Sequence, residues 1–469
     1  MSESTRMLLG LAIGIIVMII LVMKTKVHTF ISLLLAAMIA GIIGGMPVTD
    51  MAGADGETVT GLMTAIKTGF GNTLQSTGII IGLGVMMGGI LEKSGAAEKM
   101  AFSFIKAVGK KKEEWALAIT GWFISIPVFA DSAIVIFAPL CKAMSKVTGK
   151  SVVGLALSLA CGLQLTHCLV PPTPGPLTAA GMLNVDVGQM IMAGAGVSIP
   201  MLLVVVFYTK WIGKKIYQLP TENGGYERKE FKQEYIKSME ELDELMNAKK
   251  LPGLWVSIAP IIIPLVLILT NTIVGFAGLD QGIPGQIIAF FGEPIVALGI
   301  GTLLAIYGLV RKEETKKVIG IMDGAIKDTG IIMLITGAGG SLGHVIRVSG
   351  IGNALGEAVL AWSLPAILIP FIIAALMRIA LGSATVAITT AASLTAPLMG
   401  MLDISPLLMA LSCCVGAISF SYFNDSGFWV FNGMFGLTEL KDQVRCKTAT
   451  SMIMAGVGII ELLVLQFIL

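Results

Sequence analysis

Residues 151–176 read SVVGLALSLACGLQLTHCLVPPTPGP. From Ser151 to Val170 no Asp, Glu, Lys or Arg interrupts the run, and about 20 predominantly apolar residues are what a helix needs to cross a bilayer. Pro171, Pro172, Pro174 and Pro176 then end the helix, because proline supplies no amide hydrogen and pushes the residue before it out of helical geometry. Broken backbone beside Thr166-His167, at membrane depth, has to line a cavity or be buried in protein. The stretch predicts an all-α polytopic membrane protein with a polar site at a broken helix.

Composition agrees with this reading. The chain has 469 residues, 55% of them hydrophobic, a mean hydropathy of +0.87 and 13% charged residues, against about 25% in a soluble domain. Its formal net charge is +2, and no basic block alternates with aromatics, which excludes a nucleic-acid binder. The cysteines Cys141, Cys161, Cys168, Cys413, Cys414 and Cys446 show neither a disulfide framework nor a zinc spacing. No metal, nucleotide or redox motif points to an enzyme or a cofactor. The run Met7 to Met23 lacks a small-residue cleavage site and is followed by Lys24 and Lys26, so it reads as a retained first span.

Apolar stretches at 7–23, 27–45, 77–91, 151–170, 188–208, 254–275, 294–310, 329–346, 405–423 and 449–469 predict ten spans. Two others, 114–147 and 364–400, are too long for one span and are interrupted by Pro127 to Ser132 and by Arg378 to Thr385; these predict re-entrant helical hairpins. Alternating the loops between two faces gathers the Lys-rich loops on one side, leaving Arg6, Lys67 and Arg347 on the other. The Lys-rich face is then cytoplasmic and both termini lie outside the plasma membrane. The charged segment 210–252 reads as a cytoplasmic linker, partly helical through i,i+4 charge pairs, between membrane units 1–209 and 253–469.

The two units share weak internal likeness. GVMMGGILEKSG (84–95) aligns with GGSLGHVIRVSG (339–350), Asp131-Ser132-Ala133 with Gly382-Ser383-Ala384, and Ser158 and Gly162 with Ser412 and Gly416. Five spans plus one hairpin is an odd number of crossings, so the second unit is expected inverted relative to the first. Inverted repeats with broken helices near the midplane mark secondary transporters.

Polar groups at membrane depth are costly unless satisfied, so they locate the chemistry. They fall in four clusters: the tip around Asp131 and Ser132; Thr166 and His167 with Thr173 and Gly175; Arg378 with Ser383 and Thr385; and Asn424-Asp425. Each breaks a helix and frees amide N–H groups that bind anions. Ser132, Ser383 and Thr385 add hydroxyls, and the guanidinium of Arg378 offers a planar fork for a carboxylate. Asp131, His167 and Asp425 are the expected proton-coupling groups. The competing readings are a helix cap for Asp131, a structural histidine for His167 and a counter-ion to Asp131 or Asp425 for Arg378. The constellation suits a small hydroxylated organic anion.

THCLVPPTPGP (166–176), RIALGSATVA (378–387) and NDSGFWVF (424–431) resemble the gluconate permease family of proton symporters, and the likeness runs over nearly the whole chain. That family is similar in fold to the ion-transporter superfamily, which pairs a scaffold with a moving transport unit. The resemblance implies import of gluconate or a related sugar acid with protons across the inner membrane. Two departures leave the substrate open to glycerate, other aldonates, uronates or D-serine: Thr173 stands where the gluconate type carries histidine, and Ala130-Asp131 where it carries an aromatic-Glu pair. Sodium coupling, a passive channel and a non-transporting scaffold or sensor are the alternatives. Association into a homo-oligomer is compatible with all of them.

Overall fold

The computed structural model describes residues 2–52, 58–108, 112–221, 225–229, 251–279, 281–360, 364–422 and 425–467. Its apolar runs are helical, as they must be where no water is present to pair backbone N–H and C=O groups. In chain order come α1 (Glu3–Lys24), α2 (Thr29–Gly44), α3 (Leu62–Lys93), α4 (Ala96–Val108), α5 (Glu113–Ile124), α6 (Ala130–Thr148), α7 (Val152–Leu169), α8 (Pro174–Met182) and α9 (Val187–Lys215). Beyond the charged segment follow α10 (Leu254–Phe276), α11 (Gly282–Gly292), α12 (Pro294–Leu309), α13 (Thr315–Val348), α14 (Ile351–Leu360), α15 (Leu368–Leu381), α16 (Ala384–Thr395), α17 (Pro406–Ile418), α18 (Ser426–Met434), α19 (Leu440–Gln443) and α20 (Ala449–Leu465).

Among the described residues, five helices are long and apolar enough to cross a membrane, or up to seven when each bent pair is one span. The expected span 405–423 is shorter than the sequence suggests. Its helix, α17, has 13 residues and ends at Ile418, about 20 Å of rise against a hydrocarbon core of about 30 Å. Conversely, the spans expected at 77–91 and 329–346 are parts of the longer α3 and α13, which pack along each other. These two helices end alike. Ser94 N–H donates to Ile90 O at 3.0 Å and Ser349 N–H to Val345 O at 3.0 Å. The next residues, Gly95 and Gly350, have φ of 75° and 78°, a conformation open to glycine at no steric cost.

Both interrupted stretches form two half-helices separated by a short break. In the first, α5 and α6 are separated by residues 125–129, and Lys150 pairs with Glu113 at 2.8 Å and Glu114 at 2.5 Å, joining the base where the chain enters to the base where it leaves. In the second, α15 and α16 are separated by Gly382 and Ser383. Its two ends meet adjacent residues of α17: Ser412 Oγ donates to Ile367 O at 2.6 Å, and Thr395 Oγ1 lies 3.5 Å from Cys413 Sγ. Arg378 lies inside α15 and not at the interruption, because the helix runs on to Leu381. Asp131 and Ser132 likewise sit in the first turn of α6 and not in the tip loop.

Each hairpin packs on the helix that follows it, α5 and α6 on α7, α15 and α16 on α17. A glycine makes each crossing close. A Cβ on Gly162 would lie 2.0 Å from Ala118 O of α5, and one on Gly416 would lie 2.3 Å from Phe371 O of α15. Both α7 and α17 then stop, at Leu169 and Ile418, and the short α8 and α18 begin at Pro174 and Ser426. The half-helices cross over: α8 packs on α16, and α18 packs on α6.

The segment expected as a linker from residue 210 begins later, since α9 continues to Lys215. After it, β1 (Gln218–Pro220) and β2 (Tyr226–Arg228) form an antiparallel hairpin that is docked on the helices. Tyr217 OH donates to Gly149 O at 2.6 Å, Gln218 Nε2 to Phe435 O at 2.6 Å and Tyr226 OH to Met434 O at 2.5 Å, and Arg228 pairs with Asp442. These bonds tie the α6–α7 turn to the end of α18. The helix expected within 230–250 lies outside the described residues.

Candidate functional site

The breaks converge on one cavity of about 380 Å³, within the range of about 300–1,000 Å³ usual for small-molecule sites. Three half-helices begin at its lining, α6 at Ala130, α16 at Ala384 and α18 at Ser426, so their free amide ends bring partial positive charge to this region. Pro174 opens α8, where its missing amide hydrogen costs nothing. Ser383 caps α16, accepting from Val386 N–H, and Asp425 caps α18, accepting from Gly427 N–H at 3.0 Å.

The charged groups are interlocked. Arg378 is 2% exposed; its Nη2 donates to Asp425 Oδ2 at 2.5 Å and its Nη1 to Gly382 O, while its Nε is buried without a partner. Asp425 Oδ2 also accepts from the Ser421 hydroxyl. Asp131 lines the same cavity from α6 and lies against α18: a Cβ on Gly427 would come within 2.7 Å of Asp131 Oδ1. His167 reaches across from α7, with Nε2 3.3 Å from Thr385 Oγ1, Nδ1 buried and unpartnered, and its ring 5.8 Å from that of Phe129.

Of the residues expected from sequence, Asp131, His167, Arg378, Ser383, Thr385 and Asp425 meet at this cavity. Thr166 and Thr173 do not line it; each turns its hydroxyl back to its own chain, Thr166 to Gly162 O at 3.4 Å and Thr173 to Val170 O at 2.6 Å. Gly175 is a contact between half-helices, its Cβ position 2.8 Å from Ile388 Cδ1 and 3.5 Å from Thr385 Cα. Asn424 and the Ser132 side chain lie outside the described residues. Two polar lining residues escape the sequence reading. Lys447, 4% exposed, sits in the π-helical turn Val444–Thr448 ahead of α20, and Gln164 stands one turn before His167. Lys447 resembles the loop cations Lys441 and Arg445, and Gln164 carries no charge to mark it.

A larger cavity, about 570 Å³, lies between α3, α13 and the ends of α8 and α16, with Arg347 donating to His344 Nδ1 at 2.8 Å. Its Arg347 and Glu293 are exposed, whereas Arg378, Asp425 and Lys447 are buried. Ionic groups are withheld from solvent at considerable cost, and their clustering at helix breaks makes the smaller cavity the candidate site.

The model of the GntP family permeases matches residues 6–468. The chain belongs to this family. It is 42% identical over 467 residues to an uncharacterized permease of Haemophilus influenzae, covering 98% of this chain and 92% of that one. It is 29% identical to the gluconate permease of Pseudomonas aeruginosa, covering 100% and 99% of the two chains. In fold, this GntP family permease is similar to the YdaH transporter of Alcanivorax borkumensis, with a TM-score of 0.61, 15% identity, and coverage of 93% of this chain and 98% of that one. The protein is therefore a multi-pass membrane transporter and not an enzyme.

Proposed function

We propose that this permease imports gluconate or a close hydroxy-carboxylate together with protons. The observation that carries the reading is the charge set lining the cavity: Arg378 and Lys447 against Asp131 and Asp425, with His167 beside them. Two cations and two carboxylates balance. A carboxylate substrate entering alone would add an uncompensated negative charge in a poorly screened site, and one proton taken up on Asp131 or His167 removes it. Substrate and proton thus each favour the other's binding, which is the reciprocal coupling a symporter requires. Ser383 and Thr385 supply hydroxyl contacts, and relatives named as gluconate permeases supply the substrate class.

The reading includes an inverted repeat joined by a cytoplasmic segment, with both termini outside. The crossed half-helices support it. Asp131 and Thr385 are each second in the arm leaving a hairpin tip, Gly427 and Gly175 are each second in a half-helix after a break, and Asp131 meets Gly427 as Thr385 meets Gly175. Purified protein in liposomes, given labelled gluconate or glycerate under an inward proton or sodium gradient, tests the whole proposal. Accumulation driven by the proton gradient and abolished by an uncoupler is expected. Accumulation that follows sodium, or mere equilibration, would replace the reading with sodium symport or a channel.

A further inference from the structure

The cavity's two cations are not equivalent. Arg378 already has a carboxylate at 2.5 Å and a backbone carbonyl at its other terminal nitrogen. Lys447 donates to Gln164 Oε1 at 3.4 Å and lies 5.8 Å from the centre of the Phe431 ring, and among the described residues it makes no ion pair. An ammonium carries three N–H donors, and an aromatic face offsets only a small part of its desolvation. Gln164 is itself fixed, because its Nε2 donates at 3.4 Å to Ile418 O, the carbonyl at which α17 ends, and this turns its oxygen toward Lys447. The result is a buried ammonium held in place by a neutral group, with donors to spare and, among the described residues, no carboxylate at ion-pair distance, facing the cavity that also holds the hydroxyls of Ser383 and Thr385.

We propose that Lys447, positioned by Gln164, is the group that binds the carboxylate of the substrate, and that Arg378 serves to hold the Gly382–Ser383 break against Asp425. This rests on the reading of the cavity as a hydroxy-carboxylate site and reassigns the anchor within it. A buried charge lacking a partner is unfavourable, so the site gains most from a ligand that brings a negative charge to that end, with its hydroxyls toward the α16 start. The arrangement selects acids over the corresponding uncharged polyols.

The test is equilibrium binding of radiolabelled gluconate and glycerate to the purified full-length protein, with thermal melting of the same samples with and without gluconate. Lys447→Gln should lose at least about tenfold in affinity, the scale of a hydrogen bond to a charged group, and should melt no lower than wild type without ligand because it removes an unpaired charge. Gln164→Leu, which keeps the charge but frees the ammonium, should lose affinity severalfold, so the assignment stays testable if Lys447→Gln does not fold. Wild-type affinity in both variants overturns the role of Lys447 and leaves the substrate reading intact. A ligand-free melting point of Lys447→Gln well below wild type, with affinity kept, makes the residue a structural cation. A wild-type protein that binds neither acid overturns the substrate reading and this inference with it.

Discussion

Asp425 and Asp131 show how two carboxylates in one cavity divide their tasks. The oxygens of Asp425 are committed to Arg378, the Ser421 hydroxyl and the Gly427 amide, so it fastens the second break. Asp131 is half-buried at the start of α6 and faces the cavity against Gly427, and it is the carboxylate to which the proposed symport gives the proton. Asp131→Asn is expected to abolish uptake against a gradient while exchange of internal for external gluconate continues; continued accumulation with an unchanged pH profile would assign the proton elsewhere. Arg378→Ala leaves Asp425 without its cation and should cost roughly 3–5 kcal/mol of stability, read as a lower melting temperature in the absence of substrate. These residues were legible in the sequence because a charge or histidine is conspicuous in an apolar run. Lys447 was not, since its neighbours Lys441 and Arg445 make it look like one more loop cation, and only the turn that folds it inward distinguishes it.

The helices were legible wherever a long apolar run met a break with its own chemistry. Pro171 to Pro176 announced the end of α7, and Gly382-Ser383 the tip of the second hairpin. Length was less legible: 405–423 carries no charged residue, yet the chain leaves the helix at Ile418, where Gln164 of α7 binds the terminal carbonyl, a partner far away in sequence. The docked hairpin of β1 and β2 was hidden for the same reason, its anchors lying in the α6–α7 turn and at the end of α18. What the element scale adds is close crossing, and it can be tested at Gly162. An added methyl would meet Ala118 O and Trp122 N, both backbone and unable to swing away. Gly162→Ala should therefore destabilise by about 1–3 kcal/mol despite alanine's better helix propensity. Gly196→Ala, in α9 with nothing within 4 Å of the added Cβ, is the control and should melt at or slightly above wild type.

For the molecule as a whole, the crossed half-helices make sense if the two halves enter the bilayer in opposite senses. Two segments of like build that pack head-across-tail place Asp131 and Thr385 at matching positions on either side of one cavity, whereas parallel copies would put their tips at the same face. Opposite entry requires an odd number of crossings in the first half, so its beginning and the segment after α9 must lie on opposite sides. The bonds of Tyr217 to Gly149 and of Lys150 to Glu113 and Glu114 put the end of α9 and the base of the first hairpin at one level, the Lys-rich one. All six native cysteines are buried, so a single introduced thiol gives a clean signal. Ser2→Cys and Glu227→Cys, both at exposed positions, should react with an impermeant maleimide from opposite faces in intact cells, Ser2→Cys from outside and Glu227→Cys only after permeabilisation. Labelling of both from the same face would mean an even number of crossings. The second half could not then be inverted, and the meeting of Asp131 with Gly427 would need another origin.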